Sequence, residues 1–269
     1  MKSARFQRNL GYITEEQQAQ LARRRILVAG CGVGSFAAEA LLRLGFGSVR
    51  LVDGDTVAEH NLNRQDYVTA DVGTPKASAL GRRLQTIFPD ASIEAVPRHF
   101  GADNALDLLQ GVDVVVDTID FLALDSIVRL HDSCNKAGIP VISAMAVGWG
   151  SMAMVAPPRS GRGCWFRELF GIAPDEVVEN ESYKKRFIPL FERMSPHLDP
   201  AVIRAMLRVF DVMEDGKPCP APALSAGTFS VASLVATLAF RVAAGLPVTE
   251  APDAILIDLL GMGRGISLL

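Results

Sequence analysis

The sequence predicts an α/β protein built on a doubly wound, mainly parallel, Rossmann-like sheet. Short apolar runs alternate with amphipathic helical patterns from residue 26 to residue 143, as expected of consecutive βα units. A glycine-rich turn, Gly30-Cys-Gly32-Val-Gly34, follows the first apolar run. After residue 155 the alternation stops and a segment rich in proline, glycine and charged residues begins. Functional residues should therefore gather at the carboxyl ends of the strands.

The first elements are assigned from the period of their apolar residues. A charged helix is expected over Gln17–Leu27, leading into a buried strand at Ile26–Ala29. The glycine turn then opens a helix at Ser35–Leu44, and a second strand follows at Val49–Val52. The alternation continues with a helix at Lys76–Phe88, a strand at Ser92–Pro97, a helix at Asn104–Leu109, a strand at Val112–Asp117, a helix at Leu124–Lys136 and a strand at Pro140–Ser143.

Residues 161–220 interrupt this order. Two helical patterns, at Asp175–Phe191 and Pro200–Val212, predict a helical insertion or crossover segment on the same domain, so that residues 1–269 form one domain. A buried helix rich in Ala and Val, Ser230–Ala244, and a late strand, Ala254–Asp258, should return to the sheet. The segment contains no motif that identifies a substrate.

Composition narrows the class of protein. A chain of 269 residues with 49% hydrophobic content can bury a large core, and its net charge of −3 disfavours a broad electrostatic grip on nucleic acid. The N-terminal residues carry no apolar leader, and the longest uncharged run, Val141–Pro158, contains Gly148 and Gly150, which suit strands and loops better than a spanning helix. A cytoplasmic protein that does not enter a membrane is expected.

The cysteines and histidines form no recognisable metal or redox motif. Cys31, Cys134, Cys164 and Cys219 are scattered without a Cys-x-x-Cys pair, so no zinc site is expected. The four histidines, which do not cluster either, are expected to be structural or exposed.

The region after the first strand predicts a nucleotide site. The N-terminal amides of the helix after the glycine turn can hold phosphate, and Asp53 follows the second strand at the spacing expected for a carboxylate that binds ribose hydroxyls. A polar cluster, Asn61-Leu-Asn-Arg64-Gln65, comes next. Because a triphosphate needs several cationic and amide donors, this cluster favours ATP over a dinucleotide.

In order along the chain, these motifs resemble those of the ThiF/MoeB/HesA superfamily, adenylating enzymes related to the ubiquitin-activating enzymes. The resemblance spans about residues 5–170 and returns weakly near 218–244. Its parts are Arg5-Phe-Gln-Arg8, the glycine turn, Asp53-Gly-Asp55, Asn61-Leu-Asn-Arg64-Gln65, Val72-Gly-Thr-Pro-Lys76-Ala77 and Asp117-Thr-Ile-Asp120. Where the family has an Asp-Asn pair after the fourth strand, this chain has Asp120-Phe121.

The resemblance implies a role for each matching residue. The nucleotide-binding residues would be Gly30, Gly32, Gly34, Asp53, Asp55, Asn61, Arg64, Gln65 and Lys76, with Asp53 on the ribose and Asn61, Arg64, Gln65 and Lys76 on the phosphates. Arg8, Arg64, Lys76 and Asp120 would be catalytic, and Asp120 would hold Mg²⁺. Arg8 would reach the site of the other subunit of a homodimer, from an arm with too little apolar content to fold back on its own core.

The implied activity is ATP-dependent adenylation of a carboxylate, most simply the C-terminus of a small ubiquitin-like or sulfur-carrier protein or of a peptide. No cysteine lies between Cys164 and Cys219, so adenylation without a thioester to this chain is expected. The alternatives are a dehydratase acting on a modified adenosine of tRNA, which the acidic composition disfavours, and a non-catalytic nucleotide-binding scaffold, which the retained Arg64, Lys76 and Asp120 disfavour. An NAD(P)-dependent oxidoreductase would explain the glycine turn and Asp53 but not the cations.

Overall fold

The computed structural model describes residues 4–178, 183–214 and 222–261. Its centre is a seven-stranded sheet with the order β3-β2-β1-β4-β5-β6-β7. The strands are β1 (Arg25–Ala29), β2 (Ser48–Val52), β3 (Ser92–Val96), β4 (Val114–Asp117), β5 (Val141–Val147), β6 (Gly150–Ala156) and β7 (Ile255–Ile257). The first five strands in chain order pair in parallel, whereas β6 and β7 run antiparallel to their neighbours. The predicted doubly wound, mainly parallel sheet is confirmed.

Helices cover both faces of the sheet. They are α1 (Glu15–Arg23), α2 (Gly34–Leu44), α3 (Lys76–Ile87), α4 (Ala105–Leu109), α5 (Leu124–Ala137), α6 (Trp165–Leu169), α7 (Tyr183–Met194), α8 (Pro200–Glu214) and α9 (Ser225–Ala243). One face packs against α2, α3 and α9, while α4, α5 and the helices of the 161–220 segment pack against the other. Helix α9 is long and apolar enough to cross a membrane, but it packs into the core against α2, β5 and β6.

Three predicted helices have the wrong bounds. The expected helix over Gln17–Leu27 ends at Arg23, because Arg25 already pairs with Ser48 as the first residue of β1. The helix expected over Ser230–Ala244 begins five residues earlier, at Ser225. The expected helix from Asp175 does not include residues 175–178, and α7 begins at Tyr183. In this non-helical stretch the Glu176 carboxylate accepts the Ala173 N–H and pairs with Arg186 of α7, contacts that the period of apolar residues does not predict.

The expected strand at Pro140–Ser143 is the start of a longer hairpin. β5 continues to Val147 and pairs over its whole length with β6, with a turn at Gly148. The uncharged run Val141–Pro158 thus forms two adjacent buried strands, as its composition indicates.

The N-terminal arm is docked on its own chain, which contradicts the expectation that it cannot fold back. Residues Ala4–Asn9 form a 3-10 helix in which Phe6 meets the Phe88 ring edge-on at 5.7 Å between centroids. Arg5 lies over the same ring and pairs with Asp90. Asn9 also donates to Oε1 of Gln18 at 3.0 Å and to the Leu44 carbonyl at 3.2 Å, so aromatic, cation–π, ionic and hydrogen-bond contacts together hold the arm.

Candidate functional site

A cavity of about 420 Å³ opens at the carboxyl ends of β1, β2 and β4, where the topology of a doubly wound sheet places ligand sites. Nine of the predicted site residues line it: Gly30, Gly32, Asp53, Asp55, Asn61, Arg64, Gln65, Lys76 and Asp120. The other two do not line it. Gly34 is buried at the start of α2, and Arg8 is exposed on the N-terminal 3-10 helix. The structure thus brings together residues that are up to 90 positions apart in the sequence.

The glycine turn is pressed against the end of β4. Gly30 has a φ of +89°, and a Cβ there would lie 2.4 Å from the carbonyl oxygen of Thr118. A Cβ on Gly34 would lie 2.3 Å from the Thr118 hydroxyl, which donates to the Gly30 carbonyl at 2.7 Å. Thr118, which sequence reasoning did not single out, therefore locks the turn to β4. This packing places the positive N-terminal end of α2 at the cavity, where it can bind phosphate.

Asp53 is fixed by backbone donors on both of its oxygens. Its Oδ2 accepts the Cys31 N–H at 2.7 Å and its Oδ1 accepts the Asp55 N–H at 2.8 Å. Burial raises the pKa of Asp53, while the Lys76 charge and these two hydrogen bonds oppose that shift. Each carboxylate oxygen keeps a second lone pair, so the side chain can still accept hydrogen bonds from ribose hydroxyls.

Three cations, Lys76, Arg64 and Arg193, line the cavity, and the first two lie among the nucleotide residues. Lys76 is the first residue of α3, and its Nζ lies 2.9 Å from Oδ2 of Asp55. Arg64 donates to the His60 carbonyl at 2.7 Å and to Oδ1 of Asn63 at 2.9 Å. Burial lowers the pKa of Arg64, and the negative charge of nearby Asp120 opposes this. The site therefore holds positive charge at low solvent exposure, where it acts most strongly on phosphate.

Two buried hydroxyls hold the glycine turn, the Asn61–Gln65 loop and α3 in one arrangement. The Ser35 hydroxyl donates to the Gly32 carbonyl at 2.7 Å and accepts the Asp66 N–H at 2.9 Å. The Tyr67 hydroxyl lies 2.6 Å from the Cys31 carbonyl oxygen and 3.3 Å from that of Lys76. Sequence reasoning missed these positioning residues, because a lone Ser or Tyr beside a motif has no distinctive pattern.

The donors and acceptors on the cavity wall fit a nucleotide. Gln65 is 6% exposed, and its Oε1 has no hydrogen-bond partner among the residues described, which suits a site that a ligand completes. The residues of the cavity wall also suit a Mg²⁺ ion that is bound to the phosphates of the nucleotide. Within the described ranges no three His, Cys, Asp or Glu residues are grouped to hold a metal, and Mg²⁺ typically needs only one or two carboxylates beside the phosphate oxygens. Asp120, whose Oδ1 accepts the Leu122 N–H at 3.0 Å, would be that carboxylate.

A buried polar cluster lies beneath the cavity. Nε2 of His131 is 3.0 Å from Oδ2 of Asp117 and 3.0 Å from Oγ of Ser143, and both partners line the cavity. Since the carboxylate and the hydroxyl share one ring nitrogen, the cluster cannot relay a proton from Ser143 through the ring to Asp117. It positions Asp117 and Ser143 instead.

The cysteines described are buried thiols. Cys31, Cys134 and Cys164 are unbridged, and burial raises the pKa of each. The pKa of Cys164 rises to about 11, and its thiol lies 3.2 Å from Oδ1 of Asp132. Cys219 lies outside the described residues. A thiol with such a raised pKa is a poor nucleophile near neutral pH.

The chain is similar in sequence to known adenylating enzymes. It is 33% identical to the SAMP-activating enzyme E1 of Haloferax volcanii over 60% of this chain and 58% of that protein. It is 32% identical to the sulfur carrier protein ThiS adenylyltransferase of Escherichia coli over 57% of this chain and 61% of that protein. The match thus spans about three fifths of the length of these relatives.

Solved structures and a family model match as well. E. coli tRNA N6-threonylcarbamoyladenosine dehydratase, solved in complex with ATP, is 32% identical with a TM-score of 0.51, covering 54% of this chain and 60% of that one. E. coli MccB shares the fold over 96% of this chain and 67% of its own, with 20% identity and a TM-score of 0.65. The ThiF family model matches residues 6–264, nearly the whole chain. The resemblance predicted from the ordered motifs is confirmed, and the protein belongs to the ThiF family.

Proposed function

We propose that this chain is an ATP-dependent adenylyltransferase that activates the C-terminal carboxylate of a small ubiquitin-like or sulfur-carrier protein or of a peptide. The convergence of Asp53, Arg64, Lys76 and Asp120 on one cavity beside the glycine turn carries the proposal. A dinucleotide site uses the turn and the ribose acid but has no need of two cations and a further acid. The name of the E. coli relative, a ThiS adenylyltransferase, supports the same activity.

The reaction requires little of the protein beyond positioning and electrostatics. An oxygen of the substrate carboxylate attacks the α-phosphorus of ATP, the bond from that phosphorus to the bridging oxygen breaks, and acyl-adenylate and pyrophosphate form. No side-chain nucleophile takes part. This agrees with a Cys164 thiol whose pKa is raised by burial.

Each charged residue then has a defined task. Lys76 and Arg64 stabilise the negative charge that develops on the phosphorus oxygens and on the leaving pyrophosphate. Asp53 orients the ribose, and the N-terminus of α2 binds phosphate with its backbone amides. Asp120 would hold a Mg²⁺ ion that neutralises phosphate charge.

Arg8 acts across a homodimer in this proposal. It is exposed on a 3-10 helix that packs beside Phe88, and it does not line the cavity of its own chain. Because Arg8 does not line the cavity of its own chain, the proposed catalytic role requires the cavity of a second subunit. A two-fold dimer would exchange the same arm in both directions.

A tRNA dehydratase is the second candidate. It is favoured by the similarity to the ATP-bound E. coli tRNA N6-threonylcarbamoyladenosine dehydratase, which reaches 32% identity. It would use the same ATP site but present a carboxylate on a tRNA base. Exchange that depends on tRNA carrying threonylcarbamoyladenosine, and that falls steeply with salt, would identify this activity.

Calorimetry and isotope exchange test the main proposal. Titration with MgATP and, separately, with NAD⁺ should show binding of ATP only. Exchange of labelled pyrophosphate into ATP should then require a carboxylate substrate. Tight NAD⁺ binding without ATP binding at millimolar concentration would exclude an adenylyltransferase.

A further inference from the structure

The cavity continues beyond the nucleotide residues into a second region, which we call the apolar half. Its wall includes Met145, Met152, Met154, Phe166, Phe170 and Phe187. The nucleotide residues come from β1, β2, β4 and α3, whereas the apolar half lies over the β5–β6 hairpin, on the other side of β4 in the sheet. One continuous cavity therefore joins a charged end to an end lined by thioether and aromatic side chains.

Strand register makes the floor of the apolar half continuous with the polar end. Asp117 on β4 pairs with Ser143 on β5, and the Ser143 hydroxyl lies 3.3 Å from Oδ2 of Asp117. Met145 is two residues further along β5, so it is on the same face, and Met152 is its direct partner on β6. Along the floor of the cavity, the Asp117 carboxylate is thus followed by the Ser143 hydroxyl and then by the Met145 thioether.

Aromatic rings from the 161–220 segment form the opposite wall. Phe170 lies 4.3 Å from Phe166 and 4.8 Å from Phe187 between ring centroids. Phe121, which directly follows Asp120, is 5.5 Å from Phe187. The acid at the nucleotide end and the aromatic wall are therefore contributed by consecutive residues, so an acid bound beside Asp120 would have its substituent against these rings.

We infer that the acid this chain activates carries an apolar group of aromatic or thioether size next to its carboxylate, and that the C-terminal residue of a peptide or small protein supplies it. The inference rests on the proposed function and names its substrate class. Phe166, Phe170 and Phe187 are 4–9% exposed and form a packed backing, while the half-buried Met145 and Phe121 lie in front of them on the cavity wall. A C-terminal glycine would leave the space beside Met145 and Phe121 to water, whereas an apolar side chain would fill it. Methionine side chains also adapt to ligands of differing shape.

Pyrophosphate exchange with matched synthetic acids tests this substrate class. The probes are two hexapeptides of the same sequence that end in Phe or in Gly, together with 3-phenylpropanoic acid and octanoic acid. The Phe-ended peptide should show a kcat/KM about 10-fold or more above that of the Gly-ended peptide, because hydrophobic pockets discriminate to this extent. If the free acids are as active as the Phe-ended peptide or more active, the substrate is a small apolar acid and not the C-terminus of a peptide.

A pair of neighbouring residues on α8 provides the control. Met206 lines the cavity, whereas Leu207 beside it is 49% exposed. Met206→Asn and, independently, Met145→Asn should reduce the preference for the Phe-ended peptide, while Leu207→Asn should leave it unchanged. Thermal melting of each variant checks that the fold is retained.

Three results would overturn the inference. They are a preference for the Gly-ended peptide, equal kcat/KM for both peptides, and a lack of exchange with every apolar probe in a chain that binds MgATP. Failure to bind MgATP would instead refute the proposed adenylyltransferase function. Failure of the substrate class and failure of the function can therefore be distinguished.

Discussion

Replacement of Lys76 by methionine should separate the electrostatic contribution of this residue from its contribution to packing. The Lys76 side chain is 11% exposed, so its methylene stem is packed, and methionine keeps most of that stem while removing the charge. Its partner Asp55 has a side chain that is 56% exposed, so its carboxylate remains hydrated once the cation is gone. Lys76→Met also leaves the buried Asp53 carboxylate without the cation that opposes the rise in its pKa, so the free energy of unfolding should fall by about 1–3 kcal/mol.

Catalysis should respond far more strongly than stability. Removal of one preorganised donor from a transition state typically costs about 10²-fold to 10³-fold in kcat, or roughly 2.7–4 kcal/mol. Even a loss of about 3 kcal/mol from a domain stable by about 5 kcal/mol or more leaves about 95% or more of the chain folded. A fall of about 100-fold in kcat therefore cannot arise from unfolding of Lys76→Met.

The assay is pyrophosphate exchange with the most active of the acids described above, run beside urea unfolding of the same samples. Lys136→Met is the matched control, because Lys136 is exposed near the end of α5 and does not line the cavity. Turnover of Lys76→Met close to that of the parent and of Lys136→Met would refute the reasoning and make Lys76 a structural ion-pair partner of Asp55.

Three further predictions concern pH, the thiols and the dimer. Burial and the neighbouring Glu39 raise the pKa of Asp66 to about 7 against the opposing charge of Arg83, so folded Asp66 retains a proton that it loses on unfolding. The contribution of Asp66 to the unfolding free energy should therefore fall as pH rises from about 4 through 7, and Asp66→Asn should remove that contribution to the slope in urea titrations; equal slopes for the two proteins would contradict this. Cys164→Ser should leave acyl-adenylate formation intact, whereas a thiol-sensitive adduct lost in this variant would show a thioester. Inactive Arg8→Ala mixed with inactive Lys76→Met should regain some activity, since some heterodimers carry one intact site, and no recovery after verified exchange would exclude action in trans.

Local signals accounted for most of the sheet and for the nucleotide end of the cavity. Glycines such as Gly30, a β-branched run such as that of β4, and an acid such as Asp53 at a strand end are each recognisable within a few residues. The helix expected from Asp175 was wrong at its start. Residues 175–178 are not helical, and Glu176 in this stretch pairs with Arg186 of α7, a contact that the local pattern does not reveal.

The apolar half was beyond sequence reasoning because no local pattern marks it. Met145 and Met152 meet through the register of a hairpin, and Phe166 and Phe187 come from separate helices of the 161–220 segment. Each of these residues, read alone, is an ordinary core residue. Only tertiary packing brings them together along the wall of one cavity.

Position 121 connects these two parts of the site. The ThiF pattern has an Asn after the acid of Asp120, and here the residue is Phe121, which packs against Phe187 rather than offering an amide donor. From the sequence alone, this difference means that the nucleotide site lacks one amide donor. In the structure it extends the aromatic wall up to the residue proposed to hold Mg²⁺ on the phosphates. The proposed substrate class would give the departure from the family pattern and the apolar half one physical explanation, which is an apolar group on the acid brought to the α-phosphorus.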